Sequence, residues 1–266
     1  MLTVVPQGGL CNRLRVVLSA LEASQHQGVA PIEIHWARNA ECSAWFEELF
    51  QPIASETLKI VHRAWWAAPI TRYNLHLPAL LRYAMGYRLQ QANCHPASDE
   101  AFFRMLEAPK VYLSGGSTLC SYRAECLGLL KPLPEIQRQI DDITALFAPR
   151  TIGVHIRRTD NLKSMRHSTP QGFRRAMDNA VKEDARTRFF LATDDASLKE
   201  ALVREYGERI ITLHRPVRRN TVDGMRDAVV DLWCLAATER IIGSYWSSFT
   251  DTAAELRHIP LHVVME

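Results

Sequence analysis

From residue 151 onward, short apolar runs alternate with amphipathic ones in a regular order, and this order restricts the fold more than any other feature. Strands are predicted at about 151–157, 188–193, 209–213, 240–243 and 261–264, with helices at about 170–183, 196–206, 224–237 and 248–257. Apolar strands separated by helices are joined by crossovers, and crossovers produce parallel, doubly wound sheets. Ligands of such sheets bind beyond the carboxyl ends of the strands. Upstream, Leu2-Thr3-Val4-Val5 reads as a strand and Pro6-Gln7-Gly8-Gly9 as a turn. Leu14, Val17, Leu18 and Leu21 then share one face of a helix that begins near Asn12. Residues 32–36, 58–61 and 111–113 form further strands and 44–50 a helix. Between 63 and 110, Trp65-Trp66, Tyr73, Leu77, Leu80-Leu81 and Tyr83 suggest loops and helix without a readable topology. Lys131-Pro132-Leu133-Pro134 interrupts the chain just before Ile136, Ile140, Ile143 and Phe147 repeat at helical spacing. The pattern therefore predicts an N-terminal domain over 1–132 and a C-terminal one over 133–266, as α/β, Rossmann-like halves facing across a cleft.

The chain has 266 residues, 47% hydrophobic and 23% charged, which suits a soluble globular protein with a sizeable core and no long disordered stretch. A formal charge of +3 does not support nucleic acid as the main partner. Basic residues do gather at Arg157, Arg158, Lys163, Arg166 and Arg174-Arg175, which fits a local anion site better than a basic face. Cys11, Cys42, Cys94, Cys120, Cys126 and Cys234 are scattered without a CxxC pair, so neither a zinc site nor a disulfide framework is expected. They read as reduced thiols of a cytoplasmic protein. No secretion signal and no membrane span is expected, and the oligomeric state is open.

Three strand ends carry chemistry. Gly153-Val154-His155-Ile156-Arg157-Arg158-Thr159-Asp160 runs from a buried strand onto two arginines and a carboxylate. Guanidinium forks match phosphate oxygens bidentately and keep their charge, so the pair suggests a diphosphate; the plainer alternative is a surface Arg-Asp ion pair. Phe189-Phe190-Leu191-Ala192-Thr193-Asp194-Asp195 ends in paired carboxylates. Asp194 would accept from a sugar or base, or orient Arg157 and Arg158, whereas Asp195 suits a helix cap. Ile241-Ile242-Gly243-Ser244 is followed by Tyr245-Trp246-Ser247-Ser248-Phe249-Thr250 and a helix, where Ser247 or Ser248 either helps hold a phosphate or caps the helix. Asp231 lies among Val229, Val230 and Leu232, and is either exposed or engaged by a partner such as the ring nitrogens of a base. Near the N-terminus, Gly8 and Gly9 precede a helix, where backbone N–H groups could meet an anion, with Asn12 and Arg13 as added donors. The more ordinary alternative is a tight turn with Asn12 as the cap and Arg13 in solvent.

Taken together, GGLCNRL, GVHIRRTD, FLATDD and GSYWSSFTDTA resemble, in order and spacing, motifs of a fucosyltransferase superfamily. It includes the core α1,6- and the rhizobial nodulation-factor fucosyltransferases and, more distantly, the α1,2- and protein O-fucosyltransferases. The resemblance covers 151 to about 255 and one loop near the N-terminus. It implies a GT-B arrangement, GDP-fucose as donor, a glycan acceptor, inversion at the anomeric carbon, and neither metal nor other cofactor. It also implies that His155 and Asp231 contact guanine or ribose, Arg157 the β-phosphate, and Ser247 or Ser248 the pyrophosphate. Arg158, Asp160, Asp194 and Asp195 support that pocket, with the glycine turn and Asn12 on the donor side. Asp194-Asp195 could imitate a metal-binding DxD pair, but their strand and cap positions argue against it.

One departure matters. Core fucosyltransferases carry a lysine just after the aspartate of the motif and a glutamate a few residues later, where this chain has Asn161 and Met165. No Asp or Glu occurs from Asn161 through Met177, so the usual base candidate is missing. His167 could take that role, as could Glu41, Glu47 or Glu48, or a loose, cation-like transition state could need little base. Two other readings stay open: another GDP-sugar in the same pocket, and a nucleotide- or RNA-binding module without transferase chemistry.

Overall fold

The structure is a computed structural model that describes residues 1–26, 31–62, 78–159, 161–215 and 220–266. It divides into two compact units, Met1–Leu133 with Arg219–Met225, and Pro134–Arg218 with Arg226–Glu266. In the first unit the strands are β1 (Leu2–Pro6), β2 (Ile32–Trp36), β3 (Leu58–His62), β4 (Leu89–Gln91) and β5 (Val111–Gly115). The helices are α1 (Leu10–Ser24), α2 (Ala79–Ala84), α3 (Asp99–Leu106) and α4 (Ala124–Gly128). The strands form one five-stranded sheet in the order β3-β2-β1-β5-β4, and every pairing is parallel. β1 and β5 are buried at every position, as expected of central strands covered on both faces.

Two local expectations change here. The helix expected from Asn12 begins at Leu10, because the extended backbone of Gly9 serves as the cap (φ −70°, ψ 177°). Asn12 thus lies inside the first turn and is not the cap. The helix expected over 44–50 is a single 3-10 turn, Phe46–Glu48. The Glu48 carboxylate accepts from Trp45 N at 2.7 Å and closes that turn. Beyond it Gln51 N donates to Lys131 O, and Leu133 N donates to Leu49 O, so the backbone pairs with the 131–133 segment instead of extending a helix. In the stretch without a readable topology, α2, β4 and α3 occupy the described part, while Trp65, Trp66, Tyr73 and Leu77 lie outside the described residues.

The second unit contains strands β6 (Thr151–Ile156), β7 (Arg188–Thr193), β8 (Ile210–Ile211), β9 (Ile241–Ser244) and β10 (Leu261–Val264). Its helices are α5 (Pro134–Thr144), α6 (Leu162–His167), α7 (Pro170–Glu183), α8 (Ala196–Tyr206), α9 (Val222–Ala236, whose first turn to Met225 groups with the first unit) and α10 (Ser248–Leu256). The sheet order is β10-β9-β6-β7-β8, again parallel throughout. Ile152, Val154 and Ile156 of β6 pack in one core cluster with Phe173, Met177, Phe189, Leu191 and Leu202. The strand expected over 209–213 shortens to Ile210–Ile211, because a 3-10 turn occupies Gly207–Arg209 and Thr212 spends its hydroxyl on Leu191 O. From β6 the chain moves outward through β7 and β8, then returns to the other side for β9 and β10. The order reverses between β6 and β9, and at such a reversal the strand ends leave a crevice for a ligand.

Candidate functional site

Arg157 is the first residue beyond β6, at that reversal. Its N–H donates to Ser244 Oγ at the end of β9 (2.9 Å), and the same hydroxyl donates to His155 O (3.3 Å). One serine thus ties the tip of β9 to the tip of β6. On the other side, Asp194 follows β7, and its side chain is only 5% exposed. It accepts from Arg158 N (2.7 Å), Thr159 N (3.2 Å) and Thr159 Oγ1 (2.8 Å), and lies 3.5 Å from Arg157 Nη1. Hydrogen bonds to a charged group contribute about 1.5–3 kcal/mol each when shielded, and less for the two to Thr159, which is exposed. Asp194 therefore acts as a clamp that holds the arginine loop against the sheet, one of the two roles the sequence left open. Asp195 accepts from Leu198 N at 3.0 Å and caps α8, while its Oδ2 lies 3.8 Å from Arg158 Nε. Asp160 lies outside the described residues.

His155 is buried in β6, its Nδ1 2.6 Å from Thr250 Oγ1 and its ring stacked on Phe249 with centroids 4.8 Å apart. Thr250 comes so close to the sheet because residue 243 is glycine: a Cβ there would stand 2.1 Å from Thr250 Cγ2. Ser247 caps α10, accepting from Thr250 N at 3.5 Å, and Ser248 is the first helical residue. The start of this nine-residue helix therefore stands beside the Arg157 loop, where free N–H groups and the helix dipole favour an anion.

The loop before it is unusual. Trp246 adopts φ +54°, a left-handed conformation that costs a residue with a side chain about 1–3 kcal/mol. Asn161 Nδ2 donates to its carbonyl at 2.8 Å, and Lys163 Nζ sits 4.0 Å from the centre of its ring. Asn161 also accepts from Ser164 N (3.0 Å), capping α6, and Ser164 Oγ donates to Arg157 O (3.0 Å). His167, the last residue of α6, packs edge-on against Tyr245, with ring centroids 5.2 Å apart.

Asp231 sits on α9. The residue is half-buried, but its Oδ1 is fully buried and has no hydrogen-bond partner. Burial pushes the carboxyl up to about 7, opposed by Lys199 and reinforced by Asp227. A buried acceptor without a donor is costly, and a ligand carrying N–H groups relieves it.

In the first unit Gly8 has φ +80°, and a Cβ there would stand 2.6 Å from Asn12 Nδ2, so the asparagine folds over the turn. Gly8 N donates to Glu41 Oε2 at 3.2 Å. Arg13, expected in solvent, is fully buried. Its Nε donates to Gly8 O (2.8 Å), its Nη2 to Asn39 Oδ1 (2.7 Å) and its Nη1 to Ala37 O, with the guanidinium over the Trp36 ring. Three acceptors gathered from two loops, the glycine turn and the segment after β2, provide in the interior what water would provide outside. Glu47 pairs with His62, and Glu48 serves Trp45 N and Arg38. Of the three carboxylates weighed as a base, Glu41 is the one hydrogen-bonded to the glycine turn.

Ser244, Thr250, Phe249, Thr159 and Asn161 complete the site, and reasoning from sequence assigned none of them a role in building it. Their neighbourhood was visible as a motif, but contacts such as His155 to Thr250 join positions 95 apart and leave no periodic trace. All six cysteines are free and buried. Among the described residues no group of three or more His, Cys, Asp or Glu could hold a metal ion, and no helix is long and apolar enough to cross a membrane.

Two parallel α/β units, one with an arginine loop at the reversal of its sheet, make up a fold that solved fucosyltransferase structures share. No family profile and no curated protein matches the chain. The fucosyltransferase NodZ from Bradyrhizobium superposes with a TM-score of 0.64 at 18% identity, over 96% of this chain and 91% of that one. FUT1 of Arabidopsis thaliana, solved with GDP, gives 0.60 at 11% identity over 98% and 69%. POFUT1, solved with GDP-fucose, gives 0.56 at 11% over 99% and 97%. At these identities the likeness is one of fold.

Proposed function

We propose that the chain is an inverting, metal-independent glycosyltransferase of GT-B type that moves fucose from GDP-fucose to a glycan or oligosaccharide acceptor. The observation that carries this reading is Arg157, held at the β6–β9 reversal by Ser244 and by the Asp194 clamp. In such a transfer the acceptor oxygen bonds to the anomeric carbon as the bond from that carbon to the β-phosphate oxygen breaks, and negative charge builds on the phosphate. A preorganised cation directed at that charge stabilises the transition state more than the ground state. The start of α10, with Ser247 and Ser248, holds the pyrophosphate, and Asp160 and Arg158 support the pocket beside it. His155, fixed by Thr250 and Phe249, and Asp231 recognise the nucleoside. Guanine offers two adjacent N–H donors, which suit the unpartnered carboxylate oxygen of Asp231.

The base is the weak point of the sequence, and the geometry supports a mechanism that asks little of one. His167 is packed on Tyr245, and Glu41 already accepts from Gly8 N. A loose, cation-like transition state, in which cleavage runs ahead of attack and the proton leaves late, fits these constraints. The six buried thiols accord with a reducing compartment, and we place the protein in the cytoplasm.

Calorimetric titration with GDP, GDP-fucose, GDP-mannose and UDP, in the presence of EDTA, tests the reading. Selective binding of GDP, with GDP-fucose preferred, is the expected result. Preference for another GDP-sugar would change the donor only; equally tight UDP binding, or no binding, would end the proposal.

A further inference from the structure

We propose that Trp246, backed by Lys163 and Asn161, is the platform on which a pyranose ring of the acceptor stacks. This deepens the transferase reading and rests on it for the identity of the occupant.

Trp246 is 63% exposed and Leu162 is 81% exposed; Leu146 and Met265, the other large apolar side chains exposed in this unit, lie outside the two segments that flank Arg157. Trp246 lies in the β9–α10 loop and Leu162 opens α6, just past the β6–α6 loop. An exposed indole is common, but this one is held in place. Its backbone is left-handed, which disfavours any residue with a Cβ, and glycine would fit there more easily. The Asn161 amide secures its carbonyl, and the Lys163 ammonium lies over the ring. A flat aromatic face attracts the C–H-rich face of a sugar ring, and since the Lys163 ammonium covers one face of the indole, the ring would stack on the other.

The link to the reaction centre is short. Asn161 also caps α6 through Ser164 N, and Ser164 Oγ bonds Arg157 O, so three side-chain hydrogen bonds connect the tryptophan carbonyl to the phosphate-site arginine. Asn161 stands where the resembling enzymes have a lysine, and here its amide positions the ring. The nucleoside has its own polar partners in His155 and Asp231, which leaves the indole for the sugar that receives the transfer.

Trp246→Gly removes the ring while keeping the left-handed backbone comfortable, and Trp246→Phe keeps an aromatic face. The intact protein and both variants are applied to a glycan array of neutral and acidic pyranosides, titrated with GDP, and sedimented with phosphatidylcholine vesicles containing phosphatidylserine. The expected result is that the wild type binds pyranosides, Trp246→Gly loses roughly ten-fold or more of that affinity, Trp246→Phe keeps most of it, and GDP affinity and thermal midpoint stay unchanged. The platform is overturned if the wild type binds no pyranoside, if Trp246→Gly binds as well as wild type, or if the substitution abolishes vesicle binding, which would make the patch a membrane contact. Failure of GDP to bind while pyranoside binding depends on Trp246 would remove the donor reading and leave the platform standing. GDP binding with pyranoside binding indifferent to Trp246 would do the reverse.

Discussion

The Asp231 carboxyl, held at about 7 by burial, titrates within the range of ordinary buffers. In the unfolded chain it titrates near about 4, so the folded state holds the proton more tightly. Its contribution to stability is present in full below about pH 4 and is lost as pH rises through about 7. Asp231→Asn removes the titration: the variant should lose less of its thermal midpoint than wild type between about pH 5.5 and 8. Equal losses would show that the group does not govern this window. If Asp231 recognises guanine as proposed, the ionised form is the one that accepts from it, so GDP affinity should rise across the same pH range in wild type and be weak and flat in the variant. Arg157 makes a different prediction. Asp194 keeps its three hydrogen bonds to Arg158 and Thr159 without that side chain, so Arg157→Ala should fold with a thermal midpoint near wild type. Donor turnover should fall by about 10²–10³, the usual effect of removing one donor to a developing oxyanion. Loss of fold instead of turnover would mark the arginine as structural.

Among the elements, the clamp between β7 and the loop after β6 is the most exposed to a conservative change. Asp194→Asn keeps an acceptor for Arg158 N but turns an NH₂ toward Thr159 N and Thr159 Oγ1; the hydroxyl can turn to accept, whereas the Thr159 N–H loses its acceptor. A buried donor left facing a donor costs about 1–3 kcal/mol. We expect a lower thermal midpoint together with weaker GDP binding; a drop in neither would show that the loop is held by other contacts. The strands β6, β7 and β9 were legible because a strand buried on both faces is apolar for nearly its whole length; β10, at the sheet edge with His262 exposed, was legible from Leu261, Val263 and Val264 alone. The site residues at their ends were legible because charged and hydroxyl groups there interrupt that pattern abruptly. The burial of Arg13 was not legible, since a long cationic side chain ordinarily seeks water and nothing local announces that Gly8, Ala37 and Asn39 will surround it. The short turn over Phe46–Glu48 was missed for a related reason: apolar spacing there reflects packing, while the backbone hydrogen bonds go to residues 131–133. Ser244 and Thr250 escaped because their partners come from a different strand, 87 to 95 positions away.

For the whole molecule, the reading as a sugar-nucleotide transferase and the reading as an RNA-binding module differ in their response to salt. A pocket for one diphosphate releases few counterions, whereas a backbone binder loses about 10³–10⁵ in affinity between about 50 and 200 mM salt. GDP binding to the purified chain should weaken only slightly over that range; binding of a single-stranded RNA that is tighter than GDP and falls steeply with salt would favour the nucleic-acid reading. GDP at a hundredfold excess over its Kd should also stabilise the fold by about 2.7 kcal/mol through mass action, provided that it binds only the native state. A thermal scan with and without nucleotide measures that shift directly. Each unit carries its own parallel sheet, so two transitions, of which GDP moves one, would locate the nucleotide within the chain. The glycine at 243 bears on all of this through a single bond. The threonine above it turns its methyl toward the glycine and its hydroxyl toward the histidine. Adding one carbon at 243 would force that threonine to rotate about χ1, and the imidazole would lose its latch. In Gly243→Ala, damage to the floor of the site would therefore appear as a loosened wall, and on the proposed reading nucleoside recognition would change through a residue that has no side chain.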